Sequence, residues 1–354
     1  MKDILVPETS HIFHNSDSRK MDPLSDESVN LVLTSPPYPM VEMWDDLFKS
    51  WDKKTEAALL NEFGNEAFES MHIQLDKVWK ECFRVLKQGG IFLVNIGDAT
   101  RSIGGEFSLF SNHSRILQAC RNFGFVSLPD ILWRKQTNSP TKFMGSGMFP
   151  VGAYVTYEHE YILVFRKGGL RKFSKIETEL RRNSAFFWEE RNVWFSDVWD
   201  LKGERQIFKD VGASRERTAA FPLDFAYRLV NMFSIKGDTV LDPFLGTGTT
   251  SLAALLSSRN SIGYDLDTGI LEIARKKLLG AKGISSKLLQ NRMQSHFDFI
   301  ADREKQGKEN SHENKYYKMP VITSQEAELT FEMVESISEK ENVSIFAQYS
   351  RYNH

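Results

Sequence analysis

Residues 239–250 read Thr-Val-Leu-Asp-Pro-Phe-Leu-Gly-Thr-Gly-Thr-Thr, a short apolar run that passes through an acid into a glycine-rich turn. A turn of this kind between a strand and a helix is typical of nucleotide-binding units, because the helix N-terminus offers free N–H groups. The Gly-Lys-Ser/Thr of a phosphate-binding P-loop does not follow, and Ser251 stands where a dinucleotide fingerprint has its third glycine. The segment therefore predicts a strand–loop–helix that binds a nucleoside without a phosphate cradle.

Two acids stand at the ends of neighbouring predicted strands in this region. Asp242 ends the strand 239–241, and Asp265 ends the strand 261–264. An acid at the second position commonly binds ribose hydroxyls, and an acid at the first suits a cationic group. S-adenosyl-L-methionine has both features, so it is the predicted ligand. The alternative is a tight strand-to-helix connection with ordinary caps.

A second motif, Ser35-Pro36-Pro37-Tyr38, follows the apolar run 29–34 directly. Prolines have no N–H to donate and stiffen the backbone, so this turn would hold hydrogen-bond acceptors at fixed positions. A neighbouring aromatic ring adds a stacking face. Acceptors beside a ring suit the exocyclic amine of a nucleobase. The alternative is a rigid loop with a surface tyrosine.

Strand-like and helix-like segments alternate around both motifs. This rhythm favours an α/β fold with a mostly parallel, doubly wound sheet. The glycines at 89–90 are predicted to end the amphipathic helix that precedes them. The predicted strands are 12–13, 29–34, 91–96, 125–133, 161–166, 239–241 and 261–264, and the predicted helices are 68–86, 221–233 and 270–278.

Changes of pattern divide the chain into four segments. Residues 1–166 and 218–290 carry the α/β rhythm. Residues 167–217 lack it and are rich in aromatic residues, and the stretch 166–217 holds 13 lysines and arginines against 9 acids. This stretch is predicted to be an inserted, separately folded module. Residues 291–354 are expected to form a polar linker and a tail, in which Thr323 and Glu326 suggest a helix cap.

Composition excludes several classes of protein. The 354 residues carry a net charge of −2 and contain no apolar run of membrane-spanning length. The first 20 residues lack the apolar segment of a secretory signal. Cys82 and Cys120 cannot form a disulfide framework, and no His, Asp or Glu spacing indicates a metal site. A reducing cytoplasm is the expected compartment.

The order of the motifs resembles that of the permuted β group of amino-methylating DNA methyltransferases. In that group the catalytic tetrapeptide precedes the cofactor loop, and a target-recognition region lies between them. The tetrapeptide beginning with serine is the form associated with cytosine N4, and the similarity is to type II restriction-modification enzymes. It covers roughly residues 10–280, and Asn30 departs from the aspartate common there. Further matching segments are 15–17, 84–90, 157–165 and 221–223.

The resemblance implies a circularly permuted, Rossmann-like S-adenosylmethionine-dependent sheet and methyl transfer to N4 of a cytosine flipped out of duplex DNA. Ser35 and the Pro36 carbonyl would accept hydrogen bonds from the target amine, Pro37 would stiffen the turn, and Tyr38 would stack on the base. The residues implied in cofactor binding are Asp17, Phe221, Pro222, Asp242, Phe244, Gly246, Thr247, Gly248, Thr249 and Asp265.

The insert is expected to read the target sequence, and the segment 40–65 to form a lid over DNA. The insert's basic residues could equally form a solvated surface. A homodimer and a companion restriction endonuclease are expected partners. Alternatives are an adenine-N6 DNA methyltransferase, an RNA methyltransferase or a catalytically silent DNA-binding partner. The candidate DNA-phosphate contacts are Arg171, Lys172, Lys175, Arg181 and Arg182.

Overall fold

A computed structural model describes residues 8–135, 144–203, 221–340 and 344–353. Its helices are α1 Asp45–Trp51, α2 Lys53–Leu60, α3 Gly64–Val85, α4 Asn112–Asn122, α5 Lys175–Asn183, α6 Trp188–Trp194, α7 Leu223–Phe233, α8 Thr249–Leu256, α9 Thr268–Leu279 and α10 Ala281–Lys305. Short 3-10 turns occupy Glu42–Trp44 and Ser324–Glu326.

The strands of the first half of the chain are β1 Glu8–Asn15, β2 Val29–Thr34, β3 Leu86–Ile96, β4 Ala99–Ile103, β5 Glu106–Phe110, β6 Phe125–Ser127, β7 Ile131–Arg134, β8 Met144–Gly145, β9 Ala153–Tyr154 and β10 His159–Lys167. Those of the second half are β11 Val198–Asp200, β12 Thr239–Asp242, β13 Asn260–Asp265, β14 His312–Glu313, β15 Pro320–Val321, β16 Glu332–Lys340 and β17 Ser344–Arg351.

One large sheet organises the protein, with the strand order β11-β7-β10-β3-β2-β12-β13-β1-β17-β16. The central run β3-β2-β12-β13-β1 is parallel throughout. The carboxyl ends of these strands therefore meet at one edge, called the carboxyl edge below, and their beginnings form the amino edge. The prediction of a mostly parallel α/β sheet is confirmed.

Helices cover both faces of this sheet, which explains the continuous apolar runs of its central strands. All residues of β2 are buried. One face packs under α7 and α8, and every residue of α8 is buried. The other packs under α3, where buried Met71, Leu75, Val78 and Cys82 recur at three or four residues.

The transition from α3 to β3 differs from the prediction. The helix ends at Val85 and β3 begins at Leu86, so the glycines at 89–90 lie inside the strand and do not end the helix. Gly89 has φ +76°, and a Cβ there would come within 2.4 Å of the Arg171 backbone nitrogen. Glycine is needed here for a close approach of two chain segments, and the sequence alone did not distinguish this from a helix stop.

The described part of the insert is not a separately folded module. Strand β11 pairs with β7 in the main sheet. Trp194 and Trp199 are buried in the core under α7, where the Trp199 ring lies 5.8 Å from that of Phe225. Residues 204–217 of the predicted insert lie outside the described residues. Residues 167–203 thus share the core of the α/β domain.

The C-terminal segment also differs from the expected polar linker and tail. Helix α10 runs through residue 291 to Lys305, and β17 pairs with β1. The Tyr349 hydroxyl donates to the Leu255 carbonyl at 2.8 Å and lies 2.7 Å from Thr9 Oγ1. The hairpin of β16 and β17 therefore extends the sheet.

The capping box of Thr323 and Glu326 is present, but it caps a single 3-10 turn. Within the described residues, no helix is both long and apolar enough to cross a membrane.

Candidate active site

A cavity of about 450 Å³ opens at the carboxyl edge. The turns that follow β1, β2, β12 and β13 form its walls, and α1 covers one side. The parallel sheet thus brings together motifs that lie more than two hundred residues apart in the chain, as Thr34 and Asp242 do. The predicted site residues that line the cavity are Asp17, Ser35, Pro36, Pro37, Phe221, Asp242, Phe244, Gly246, Thr247, Thr249 and Asp265.

The glycine loop between β12 and α8 contains two left-handed residues. Gly246 has φ +52° and borders the cavity. Gly248 has φ +77° and caps α8, and a Cβ there would lie 2.8 Å from the Ala274 Cβ. Gly248 therefore allows α8 and α9 to approach, and it does not line the cavity. Pro222 likewise is the residue before α7 and does not line the cavity.

Asp265 ends β13 and faces the glycine loop. Its Oδ2 accepts the N–H of Gly246 at 3.0 Å, and its Oδ1 accepts the N–H of Asp267 at 2.9 Å. A carboxylate oxygen has more than one acceptor position, so both oxygens can also accept from a ligand. This placement suits a pair of ribose hydroxyls.

Asp242 is buried at the end of β12. Its Oδ1 accepts the Thr34 hydroxyl at 2.7 Å and the Phe244 N–H at 3.1 Å. Burial raises the pKa of Asp242 to about 6, although the hydrogen bonds oppose this shift. A buried carboxylate with this pKa is stabilised by a cationic ligand group.

Asp17, after β1, is paired with a neighbouring arginine. Arg19 Nη2 lies 2.6 Å from Asp17 Oδ2, and the arginine side chain also packs over the Trp51 ring at 4.7 Å. Burial alone would raise the pKa of Asp17, but hydrogen bonds and the charge of Arg19 outweigh it and lower the pKa. The carboxylate is ionised and faces the cavity while held by Arg19.

Helix α1 and the turn before it contribute lining residues that sequence reasoning placed elsewhere. Trp44, Leu47 and Trp51 line the cavity, so this part of the segment 40–65, which was expected to form a lid over DNA, borders the cavity. Their spacing of three and four residues marks one helix face, which was the available signal.

The first three residues of the tetrapeptide after β2 form one wall of the cavity. Pro36 and Pro37 are buried and line the cavity, and Ser35 is partly buried beside them. Tyr38 lies behind this wall and does not line the cavity. Its ring packs on Gly97, where a Cβ would come within 3.1 Å of Tyr38 Cε2.

The structure does not bring the five basic candidates of the insert to this site. Arg171 pairs with Asp238, which precedes β12, at 2.7 Å and with Glu177 at 2.8 Å. Ser184, after α5, accepts the Lys236 N–H at 2.9 Å. Both ends of α5 therefore lie at the amino edge. The physical reason is that β10 runs antiparallel to β3 and delivers the chain to that edge.

The arginines near the end of α5 are engaged differently. Arg181 packs over the Phe173 ring at 4.7 Å, and Arg182 lies 3.7 Å from Glu328. Lys172 and Lys175 are exposed at the same edge. The basic surface of the insert thus lies a strand's length from the cavity.

The cavity fits S-adenosyl-L-methionine. Asp265 could accept from ribose hydroxyls, buried Asp242 suits a cationic group, and Phe244, Leu245 and Ile270 add apolar surface to the cavity lining. A Rossmann-like sheet with this site defines the class of S-adenosyl-L-methionine-dependent methyltransferases. The tetrapeptide at 35–38 precedes the glycine loop after β12 in the chain, as in the permuted arrangement.

Residues 29–276 match the family described as DNA methylase, and the chain belongs to this family of N6/N4 amino-methylating DNA methyltransferases, which use S-adenosyl-L-methionine. The chain is 51% identical over 324 residues to the type II methyltransferase M.MthZI of Methanothermobacter thermautotrophicus, covering 91% of this chain and 90% of that protein. It is 50% identical over 281 residues to M.MjaI of Methanocaldococcus jannaschii, covering 76% and 91%.

Two solved structures share the fold. TTHA0409 from Thermus thermophilus, solved in complex with S-adenosyl-L-methionine, is 33% identical with a TM-score of 0.59, covering 77% of this chain and 95% of that chain. The cytosine-N4-specific PvuII DNA methyltransferase aligns with a TM-score of 0.56 at 18% identity, covering 80% and 93%. At that identity the second likeness concerns the fold alone.

Proposed function

We propose that this DNA methyltransferase transfers a methyl group to the exocyclic N4 of cytosine in duplex DNA, as the modification enzyme of a restriction-modification system. The observation that carries the proposal is the Ser35-Pro36-Pro37-Tyr38 turn, whose first three residues line the cofactor cavity. A serine at the first position is the form that the family associates with cytosine N4. The relatives named as type II methyltransferases support the restriction-modification setting.

The cavity residues divide into two roles. Asp242, Asp265 and the Gly246 turn would hold S-adenosyl-L-methionine, which supplies an electrophilic methyl group when bound. Ser35 and the Pro36 carbonyl would accept hydrogen bonds from the target amine and orient its nitrogen toward the cavity. Such positioning of reacting groups can contribute ~7–11 kcal/mol to lowering a barrier. No covalent nucleophile is required by this chemistry.

The target base must leave the duplex to reach this wall, at a cost of a few kcal/mol. Stacking on an aromatic side chain can return ~1–3 kcal/mol per base, and Tyr38 is the proposed platform. Because the tetrapeptide lies at the carboxyl edge, the proposed DNA-facing surface is that edge. Arg134 ends β7 there, and Lys202 follows β11 there.

The test is methylation of plasmid DNA by the purified protein, followed by nucleoside mass spectrometry and single-molecule mapping of modified positions. N4-methylcytosine in one short motif is the expected result. N6-methyladenine would overturn the assignment of cytosine as the target base and leave the roles of the other residues unchanged. Cofactor binding without modification of DNA or RNA would instead support a catalytically silent partner.

The proposal includes two partners. A homodimer is expected from the family, and analytical ultracentrifugation at several concentrations, with and without DNA, tests it. A companion endonuclease is expected from the restriction-modification setting. If it exists, DNA modified by this protein should resist cleavage by that enzyme, while unmodified DNA should not.

A further inference from the structure

A line of hydrogen bonds leads from the catalytic tetrapeptide into β10. Ser35 Oγ lies 3.2 Å from Tyr38 Oη, which lies 2.9 Å from Glu160 Oε2. Asn95 Nδ2 is 3.0 Å from Tyr38 Oη and 2.7 Å from Glu160 Oε2. Lys135 Nζ is 2.6 Å from Glu160 Oε1. Four segments of the chain, which lie at or after the ends of β2, β3 and β7 and at the start of β10, therefore converge behind the target-facing wall.

Donor and acceptor chemistry fixes the direction of this line. The Lys135 ammonium and the Asn95 amide nitrogen can only donate, and the paired Glu160 carboxylate can only accept. A tyrosine hydroxyl has a single proton, and Tyr38 must give it to Glu160. Only lone pairs of Tyr38 Oη then remain for Ser35, so the Ser35 hydroxyl must donate to Tyr38.

Burial, and then the negative charge of Glu160, raise the pKa of Tyr38 well above its ordinary value, so the phenol keeps its proton. The Glu160 side chain is 13% exposed and that of Lys135 is 27% exposed, so the ion pair is partly shielded from water. Shielding strengthens the hydrogen bonds of this network and makes a reversed donor costly.

We propose that Glu160 is a positioning residue for methyl transfer. By holding the Tyr38 proton it turns the Ser35 proton away from the cavity, which leaves the lone pairs of Ser35 free to accept from the target amine. The inference rests on the proposed function only in that the target is an exocyclic amine. It holds for cytosine N4 and adenine N6 alike.

The substitution Glu160→Gln tests this direction. An amide in place of the carboxylate presents an NH₂ group either to Tyr38 and Asn95 or to Lys135, and in both positions a donor meets a donor. We expect the single-turnover rate of methyl transfer at saturating DNA to fall roughly 10- to 100-fold, the range for a misdirected hydrogen bond to a charged group. Dissociation constants for S-adenosyl-L-methionine and DNA should stay within about twofold.

A second variant tests whether Glu160 acts by setting the direction of these hydrogen bonds or only by stabilising the fold. In the double variant K135M/E160Q the glutamine can turn its NH₂ away and offer its oxygen to Tyr38. We expect this variant to recover most of the rate lost in E160Q. A salt bridge that only stabilises the fold would instead make the double variant as slow as E160Q or slower.

Tyr38→Phe completes the design because it cuts the line between Ser35 and Glu160 and keeps the ring. In the Y38F background, E160Q should lower the rate by less than about twofold, since the two changes break one connected unit. Equal losses from E160Q in both backgrounds, or a wild-type rate in E160Q, would overturn the inference. A wild type without activity on any nucleic acid would overturn the proposed function and this inference together.

Discussion

The Asp265 carboxylate accepts the N–H of Gly246 at 3.0 Å, so the turn after β13 holds the loop after β12 in place. The same carboxylate also accepts the N–H of Asp267, which shapes its own turn. One acid therefore shapes the glycine loop and also lines the cavity, where it is proposed to bind the ribose. Substitutions can separate the hydrogen bond to the loop from the proposed contact with the ribose.

Replacing Asp265 should weaken cofactor binding. Asp265→Ala removes both the loop contact and the ribose acceptor, and we expect the affinity for S-adenosyl-L-methionine to fall roughly 10- to 100-fold, in line with hydrogen bonds to a charged group. In Asp265→Asn the amide oxygen can still accept the Gly246 N–H, so the affinity of this variant should fall less. Isothermal titration calorimetry measures both. The exposed acid Asp224 serves as control, and unchanged affinity in D265A would move the ribose site elsewhere.

Cofactor affinity should depend on pH through Asp242. Its pKa is raised to about 6 by burial, so the carboxylate is ionised above that pH and protonated below it. A cationic ligand prefers the ionised form, and we expect the affinity to fall as the pH is lowered from about 7.5 to about 5.5. The Asp242→Asn variant should bind S-adenosyl-L-methionine more weakly at every pH in this range, and its affinity should no longer depend on pH. A pH profile that persists in D242N would assign it to another group.

The same shift has a consequence for stability. Because the pKa in the folded state lies above that of an exposed aspartate, the folded protein binds this proton more tightly than the unfolded chain does. The contribution of Asp242 to stability is therefore fully present at pH values below about 4 and is lost as the pH rises through about 6. Urea unfolding of the wild type and D242N across this range should show that the difference between their free energies of unfolding grows as the pH rises.

Tyr38→Ala should abolish most methylation and leave cofactor binding nearly intact. Tyr38 does not line the cofactor cavity, and its proposed partners are the target base and the line to Glu160. Loss of stacking alone accounts for ~1–3 kcal/mol, or about 5- to 150-fold. Tyr38→Phe keeps the ring and should retain more DNA affinity than Tyr38→Ala. An equal loss of cofactor affinity in Y38A would contradict the assigned role.

The local chemistry of the site was largely readable from the sequence. The bounds of β2 agree with the predicted strand, since a strand buried on both faces leaves a continuous apolar run that proline ends. Asp242 and Asp265 were placed at strand ends by the same reasoning, and parallel pairing brings them to one cavity. Local sequence patterns, together with the rule that parallel strands end at the same edge of a sheet, were sufficient to predict this part of the site.

Features that depend on long-range packing were missed or misplaced. Glu160 lies in a strand that runs antiparallel to β3, so no local pattern indicated that it meets Tyr38. Gly89 has the same local appearance as a helix stop, and only the approach of Arg171 explains it. The edge strand β16 contains few apolar residues, and its pairing with β17 shifts register between Val334 and Ser336, so regular apolar alternation does not mark it in the sequence.

The C-terminal hairpin should be required for stability. Tyr349 is buried and its hydroxyl donates to the Leu255 carbonyl, which also accepts the Ser258 N–H, so Tyr349→Ala removes a large core side chain and one hydrogen bond. We expect the free energy of unfolding to fall by about 3–5 kcal/mol. Tyr349→Phe keeps the ring and loses only the hydroxyl, so it should cost about 0.5–1.5 kcal/mol, the net contribution of a hydrogen bond. Urea unfolding measures both, and a loss below about 1 kcal/mol in Y349A would show that the hairpin is dispensable.

The two edges of the sheet should differ in their contribution to DNA affinity. Lys175 and Arg182 are exposed at the amino edge, whereas Arg134 and Lys202 are exposed at the carboxyl edge, the same edge as the tetrapeptide. The matched double variants K175E/R182E and R134E/K202E reverse the same number of charges. DNA binding is measured by fluorescence anisotropy at several salt concentrations.

The carboxyl-edge variant should bind more weakly, with its salt slope reduced by about 1 for each phosphate that the protein no longer neutralises. The amino-edge variant should bind within about threefold of the wild type, since a charge more than a Debye length from the phosphates is largely screened. A greater loss of affinity in K175E/R182E than in R134E/K202E would instead place the DNA along α5.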